Sequence, residues 1–186
     1  MAASSDGTRS QDGSEPEVES GQISVLQAAQ DGGGLNDGRA AKEKVIEQVS
    51  WDGESLALAS EELQADREVV LAAVKVYGEA LQYASEELRA DKDVVLVAVR
   101  QDWHALEYAS EELQASKEMM IEAVRQCSEA LEEAPDELRA DRDVVLEAVR
   151  ADGLALAFAS EELQEDMEVV SEAVRQNGCA LEYASE

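Results

Sequence analysis

One histidine, two cysteines and several glutamate pairs are the residues of this chain whose chemistry could reach beyond packing. His104 follows Trp103 and belongs to no Ser, Cys or carboxylate constellation of the kind that acid–base or covalent catalysis requires. A structural or partner-contacting role is therefore the expectation for it, and no catalytic residue is assigned. Zinc needs four ligands at close spacing, which Cys127 and Cys179 cannot supply. They sit in different slots of a repeat, two units apart, so stacked helices should hold them roughly 20 Å from each other, beyond disulfide reach. Both read as free thiols. The pairs Glu61-Glu62, Glu86-Glu87, Glu111-Glu112 and Glu161-Glu162 lack the alternating oxygen ligands and the glycine of a calcium loop. A solvated face is the expected reading. No metal or cofactor follows from any of these groups.

The elements that carry these residues repeat. Starting from Ala59, Ala84, Ala109, Ala134 and Ala159, five gapless units of 25 residues follow one another, and Ala184-Ser185-Glu186 opens a sixth. Each unit places an N-cap residue (Asp66, Asp91, Ser116, Asp141, Asp166) before an apolar run such as Val69, Val70, Leu71, Ala73 and Val74. An acid sits in the first turn and a base (Lys75, Arg100, Arg125, Arg150, Arg175) near the end, as the helix dipole favours. Gly78, Gly153 and Gly178 then read as helix stops. Helices are expected near residues 67–77, 92–102, 117–127, 142–152 and 167–177. A second, shorter helix should carry Ala80, Leu81, Tyr83 and Ala84 and their counterparts, ending near Pro135 in its unit because a mid-helix proline is costly. The SEELQ or PDELR segment after it should be a separate turn pinned by its leucine. The fold class is thus all-α: an α-solenoid of tandem two-helix repeats with a disordered N-terminal tail.

Residues 1–22 are rich in Ser, Gly, Asp and Glu and read as that tail; 23–39 reads as a weak helix (Gln22–Gln30) and a glycine-rich linker. Residues 40–58 fit the unit in degenerate form, with Lys44 and Gln48 replacing Val and Ala on the face that would meet a preceding repeat, and read as a cap. Residues 59–186 hold the full units. With no polar cap after them, Val169, Ala173 and Leu181 are expected at an open apolar edge, and the array is expected to continue past residue 186.

The segment from Ala80 to Arg100, with its core ALxYASEELRADKxVVLxAVR, resembles the tandem helical repeat known as domain of unknown function 4116, and the resemblance covers about residues 40–186. It implies an all-helical repeat array and no assigned activity. Glu133, Met167 and Ser171 depart from the pattern.

A net charge of −28 opposes nucleic-acid binding and anionic membranes, both of which call for clustered Lys and Arg. No run is long and apolar enough to span a bilayer, and no signal-peptide core opens the chain, so a soluble intracellular protein is expected. The aromatics Tyr83, Tyr108, Phe158 and Tyr183 recur at the repeat period and read as packing. Ser14, ahead of Glu15 and Glu17, suits an acid-directed kinase, though such motifs arise often by chance. Variation concentrates in the turns VYGE, QDWH, QCSE, ADGL and QNGC, which a solenoid aligns on one edge. Tyr77, Trp103 and His104 are accordingly the partner-contact candidates, and protein–protein interaction the leading function. Its rivals are an acidic regulatory module of a larger protein and a cation-responsive acidic protein.

Overall fold

An aspartate side chain opens four of the six long helices. The computed structural model describes residues 37–184, with side chains from Arg39 onward. Its long helices are α1 (Asp37–Trp51), α2 (Arg67–Val74), α3 (Lys92–Gln101), α4 (Lys117–Gln126), α5 (Arg142–Ala151) and α6 (Met167–Gln176). Asp66, Asp91, Asp141 and Asp166 each accept from the two backbone amides that begin the helix behind them, satisfying donors no helical carbonyl can reach. Ser116 holds the same place before α4 and makes no such bond. There is no β-strand among the described residues. The expected tail, the Gln22–Gln30 helix, Ser14 and the Ser185-Glu186 start of a further unit lie outside the described residues.

The rest of each unit differs in detail from the two-helix expectation. The second segment is a 3-10 helix, as in Gly78–Tyr83 or Trp103–Tyr108, and the SEEL or PDEL stretch forms one further α-turn, as in Glu86–Arg89. Between them the chain is extended: Ala84 has φ −74° and ψ 156°, and Ser85 φ −60° and ψ 158°. Pro135 occupies this extended step with φ −53° and ψ 150°, a conformation its ring prefers, so helices are not fused through it.

Stacking runs through two faces of each long helix. In α1, Val45 and Val49 are fully buried while Lys44 is exposed; in α6, Val169 and Ala173 are fully buried while Val170 and Val174 are only half-buried. The Val169–Ala173 face therefore meets the preceding unit, which corrects the expectation that these two residues lie at an open edge. Leu181 does lie open, at 62% exposure.

The glycines also have another function than the expected helix stop. The residue leaving the long helix is extended (Tyr77 φ −140°, Asp102 φ −151°), so no left-handed C-cap is present there. Gly53, Gly78 and Gly153 instead lie buried against the next unit. A Cβ on Gly78 would stand 2.7 Å from the carbonyl oxygen of Ala98, and one on Gly53 2.7 Å from that of Ala73. These glycines set how closely successive units approach.

Candidate functional site

Two polar ladders join one unit to the next, and they show which surfaces are already spoken for. In the first, a base that opens the helix, or in α1 stands inside it at Lys42, reaches the cap and first turn of the following helix. Lys42 lies 2.8 Å from Asp66 and 2.9 Å from Glu68; Arg67 lies 3.2 Å from Asp91 and 3.3 Å from Asp93. Lys117 repeats this with Asp141 (2.8 Å) and Asp143 (2.6 Å), and Arg142 with Asp166 and Glu168. Lys92 keeps only Glu118 (2.5 Å), because Ser116 stands where the other cap carboxylates are. Burial pushes the Asp66 carboxyl upward, but the Lys42 ammonium and the Val69 and Glu68 amides outweigh it and hold it below the usual range. Asp91 and Asp141 follow the same balance, while Asp166 is held down first by the Val169 amide.

The second ladder uses the bases at the far ends of the helices. Arg100 pairs with Glu122 at 2.9 Å, Arg125 with Glu147 at 2.9 Å, and Arg150 with Glu172 at 3.7 Å. From sequence these bases read only as complements of the helix dipole. Arg100 and Arg125 find their partners on the next unit, a pairing visible in the sequence as a base and an acid 22 residues apart, whereas Arg150 lies closer to Glu147 of its own helix, at 3.2 Å.

The candidate contact residues separate into two places. Tyr77 is half-buried, packs against the core, and donates from its hydroxyl to Glu79 at 3.2 Å. Burial raises its hydroxyl pKa, with Glu79 and Glu54 adding to the effect. Burial likewise raises the Tyr108 hydroxyl pKa, with the Glu79 carboxylate adding to the effect. Tyr83, Tyr108 and Phe158 are half-buried against the core, as packing residues would be, whereas Tyr183 is 40% exposed.

Trp103 and His104 form the other place. Asp102 leaves helix α3 extended and accepts from the His104 amide at 3.0 Å, while its Oδ1 lies 2.8 Å from His104 Nδ1. The imidazole, fixed there, stacks on Trp103 with ring centroids 4.0 Å apart and planes 28° from parallel. His104 is exposed and Trp103 half-buried, so the indole neither projects freely from the edge nor fills the core.

Beside this stack opens a cleft of about 150 Å³. Leu106, Met120 and Ala130, all nearly inaccessible, lie at its base; Glu107, Gln114, Glu133 and Pro135 complete its lining. Several departures from the repeat converge there. Trp103 stands where Gly78 and Gly153 stand, and Glu133 where Tyr108 and Phe158 stand. Ser85, Ser110 and Ser160 each donate their amide to a carbonyl of the preceding unit (Gln64, Arg89, Arg139) at 2.9–3.0 Å. Pro135 has no amide hydrogen to donate to Gln114. The Gln114 side chain bonds the carbonyls of Glu107 (2.6 Å) and Ala109 (3.0 Å), whereas Gln164 bonds those of Leu156 and Ala157. Of this cleft, Trp103 and His104 stood out in the sequence as contact candidates, and Glu133 and Pro135 only as departures from the repeat.

Other chemistry has little support in the geometry. The eight glutamates of the Glu-Glu pairs are exposed, and among the described residues no three His, Cys, Asp or Glu side chains gather as a metal site would require. Cys127 is half-buried and Cys179 exposed, both as free thiols. No described helix is long and apolar enough to cross a membrane.

The sequence pattern of the family described as domain of unknown function (DUF4116) matches residues 42–89, 66–114, 91–139, 116–164 and 141–186. Each match spans two units, and each next match starts one unit on. No curated protein and no solved structure matches the chain.

Proposed function

Because this chain belongs to the DUF4116 family of helical repeats, we propose that it is a non-catalytic scaffold that binds a protein partner through the turn edge carrying Trp103 and His104. One observation carries this reading. The junctions between units are occupied by glycine contacts and ion-pair ladders, whereas the Trp103–His104 stack lies beside an open cleft and, among the described residues, is bound to no neighbouring unit by a side-chain hydrogen bond. Tryptophan is enriched among residues that dominate binding energy, and a half-buried one is already held in place before a partner arrives. The charge of −28 favours a protein partner over a nucleic acid.

The test is the double variant Trp103→Ala with His104→Ala. Removing a half-buried indole should cost about 1–2 kcal/mol, below the 3–5 kcal/mol of a fully buried one, so the variant should keep its helical signal. Capture of partners from a native extract should be lost. An intact, folded variant that captures the same proteins as the wild type would refute the assignment.

A further inference from the structure

The cleft beside Trp103 has the size and the chemistry of a receptor for one side chain. At about 150 Å³ it is smaller than the roughly 300–1,000 Å³ of sites for drug-sized ligands. Its base is apolar (Leu106, Met120, Ala130), one side is a stacked indole–imidazole pair, and two exposed carboxylates, Glu107 and Glu133, belong to its lining. Among the described residues neither carboxylate has an ion-pair partner, although the ladders pair most of the acids that face a neighbouring unit. Glu133 also replaces the aromatic ring that half-fills the corresponding place at Tyr108 and Phe158. An apolar base, a flat aromatic surface and unpaired carboxylates are the complement of a long aliphatic stem that ends in a planar cation.

We propose that the cleft receives an arginine side chain from a basic segment of the protein partner. This rests on the interaction reading above and names the chemistry of what that edge binds. The aliphatic stem lies over Leu106, Met120 and Ala130, and the guanidinium meets the aromatic pair and the carboxylates of Glu107 and Glu133. Arginine is favoured over lysine because its planar head stacks on aromatic faces and meets carboxylates in a fork, whereas an ammonium is a compact, strongly hydrated charge.

Fluorescence anisotropy on the full chain tests this, with a labelled, capped peptide of alternating glycine and arginine as the probe and its lysine counterpart beside it, at physiological ionic strength. The arginine peptide should bind at least about threefold more tightly than the lysine one. Glu107→Gln with Glu133→Gln should weaken it about tenfold, as loss of two charge-assisted contacts implies. Glu161→Gln with Glu162→Gln removes the same charge from an exposed pair outside the cleft and should cost less than about twofold. Both carboxylates of the cleft are exposed, so these variants should melt like the wild type. Equal losses from the two double variants would overturn the proposal, because the peptide would then be responding only to the overall negative charge. Equal affinity for the two peptides would overturn it as well. If the Trp103–His104 variant loses its partners while the Glu107–Glu133 variant binds peptide normally, the arginine cleft falls and the interaction edge stands. If the peptide results hold but capture is unaffected by the Trp103–His104 variant, the interaction reading falls instead.

Discussion

Gly78 and Gly178 occupy the same slot in two units, yet the same substitution should move stability in opposite directions. A Cβ at Gly78 would lie 2.7 Å from the backbone oxygen of Ala98, 2.8 Å from Gln101 Oε1 and 3.1 Å from Asp102 Cβ. Gln101 can swing away, though it would give up the bond it accepts from the Gly78 amide. Ala98 O belongs to the last turns of helix α3 and can move only if the helix moves. At Gly178 a Cβ would meet nothing within 4 Å among the described residues. Neither glycine has a left-handed φ, so alanine is conformationally acceptable at both.

Overpacking of this kind costs about 1–3 kcal/mol. Trp103 and Ser128 fill the same slot at other junctions, so a displaced helix can be accommodated and the array should not come apart. Gly178→Ala should stabilise by about 0.4–1 kcal/mol, chiefly by restricting the unfolded chain. At about 2–4 °C per kcal/mol for a chain of this size, Gly78→Ala should lower Tm by roughly 2–12 °C and Gly178→Ala raise it by roughly 1–4 °C. Paired thermal melts by circular dichroism, with urea denaturation to check that m is unchanged, read the difference. Two variants that shift Tm in the same direction by similar amounts would refute the claim that close approach of the next unit selects this glycine.

Three further outcomes follow from the ladders. Ser116→Asp should stabilise by about 0.5–1 kcal/mol in urea denaturation, since Ser116 makes no cap bond and Lys92 has no cap carboxylate to meet; no gain would mean that the start of α4 is already satisfied. Asp66, Asp91, Asp141 and Asp166 have carboxyls held below their ordinary value, so their contribution is complete above about pH 4 and is lost as pH falls through the lower folded values; asparagine at all four should flatten the acid limb of a stability–pH curve, and an unchanged limb would place the acid sensitivity elsewhere. At pH 7, raising salt from about 0.01 to 0.2 M should raise Tm, because screening relieves long-range repulsion in a chain of charge −28 more than it weakens pairs in direct contact, and a fall in Tm would show that attraction within the ladders outweighs that repulsion.

The long helices were legible because their signals are local. Asp91 caps, Val94, Val95, Ala98 and Val99 bury, and the observed helix Lys92–Gln101 lies within the expected 92–102. The 3-10 form of the second segment was not, because apolar residues such as Ala80, Leu81 and Tyr83 over six positions fit a period of three as well as one of 3.6. Gly78 was misread for a related reason: a glycine after an apolar run reads as a stop, and the helix that forbids its Cβ is contributed by the following unit. At the cleft, Trp103 and His104 were conspicuous as neighbours in sequence. Glu107, Gln114, Glu133 and Pro135 come from four different slots, and only stacking brings them together.

Stacking also exposes a second period. The residue closing the one-turn helix alternates as Gln64, Arg89, Gln114, Arg139 and Gln164, and the first-turn acid alternates with it as Glu68, Asp93, Glu118, Asp143 and Glu168. A glutamine there donates to carbonyls of the preceding 3-10 helix, as Gln64 does to Leu56 at 3.2 Å and Gln164 to Leu156 at 3.1 Å. Arg89 and Arg139 instead carry a buried Nε without a hydrogen-bond partner. Junctions therefore come in two kinds, and two units are the shortest stretch that contains both, which is also the span of each family match. The cleft lies at a glutamine junction, the one where Gln114 keeps the usual bond to Glu107 but reaches Ala109 in place of Leu106, and where Pro135 has removed the backbone bond to its neighbour. Common to both kinds are the serine amide bonds and the ion-pair ladders, and they hold successive units together. Where Pro135 removes one of these bonds, with Trp103 in a glycine slot and Glu133 in an aromatic one, the cleft opens, and that space is what the proposed partner would use.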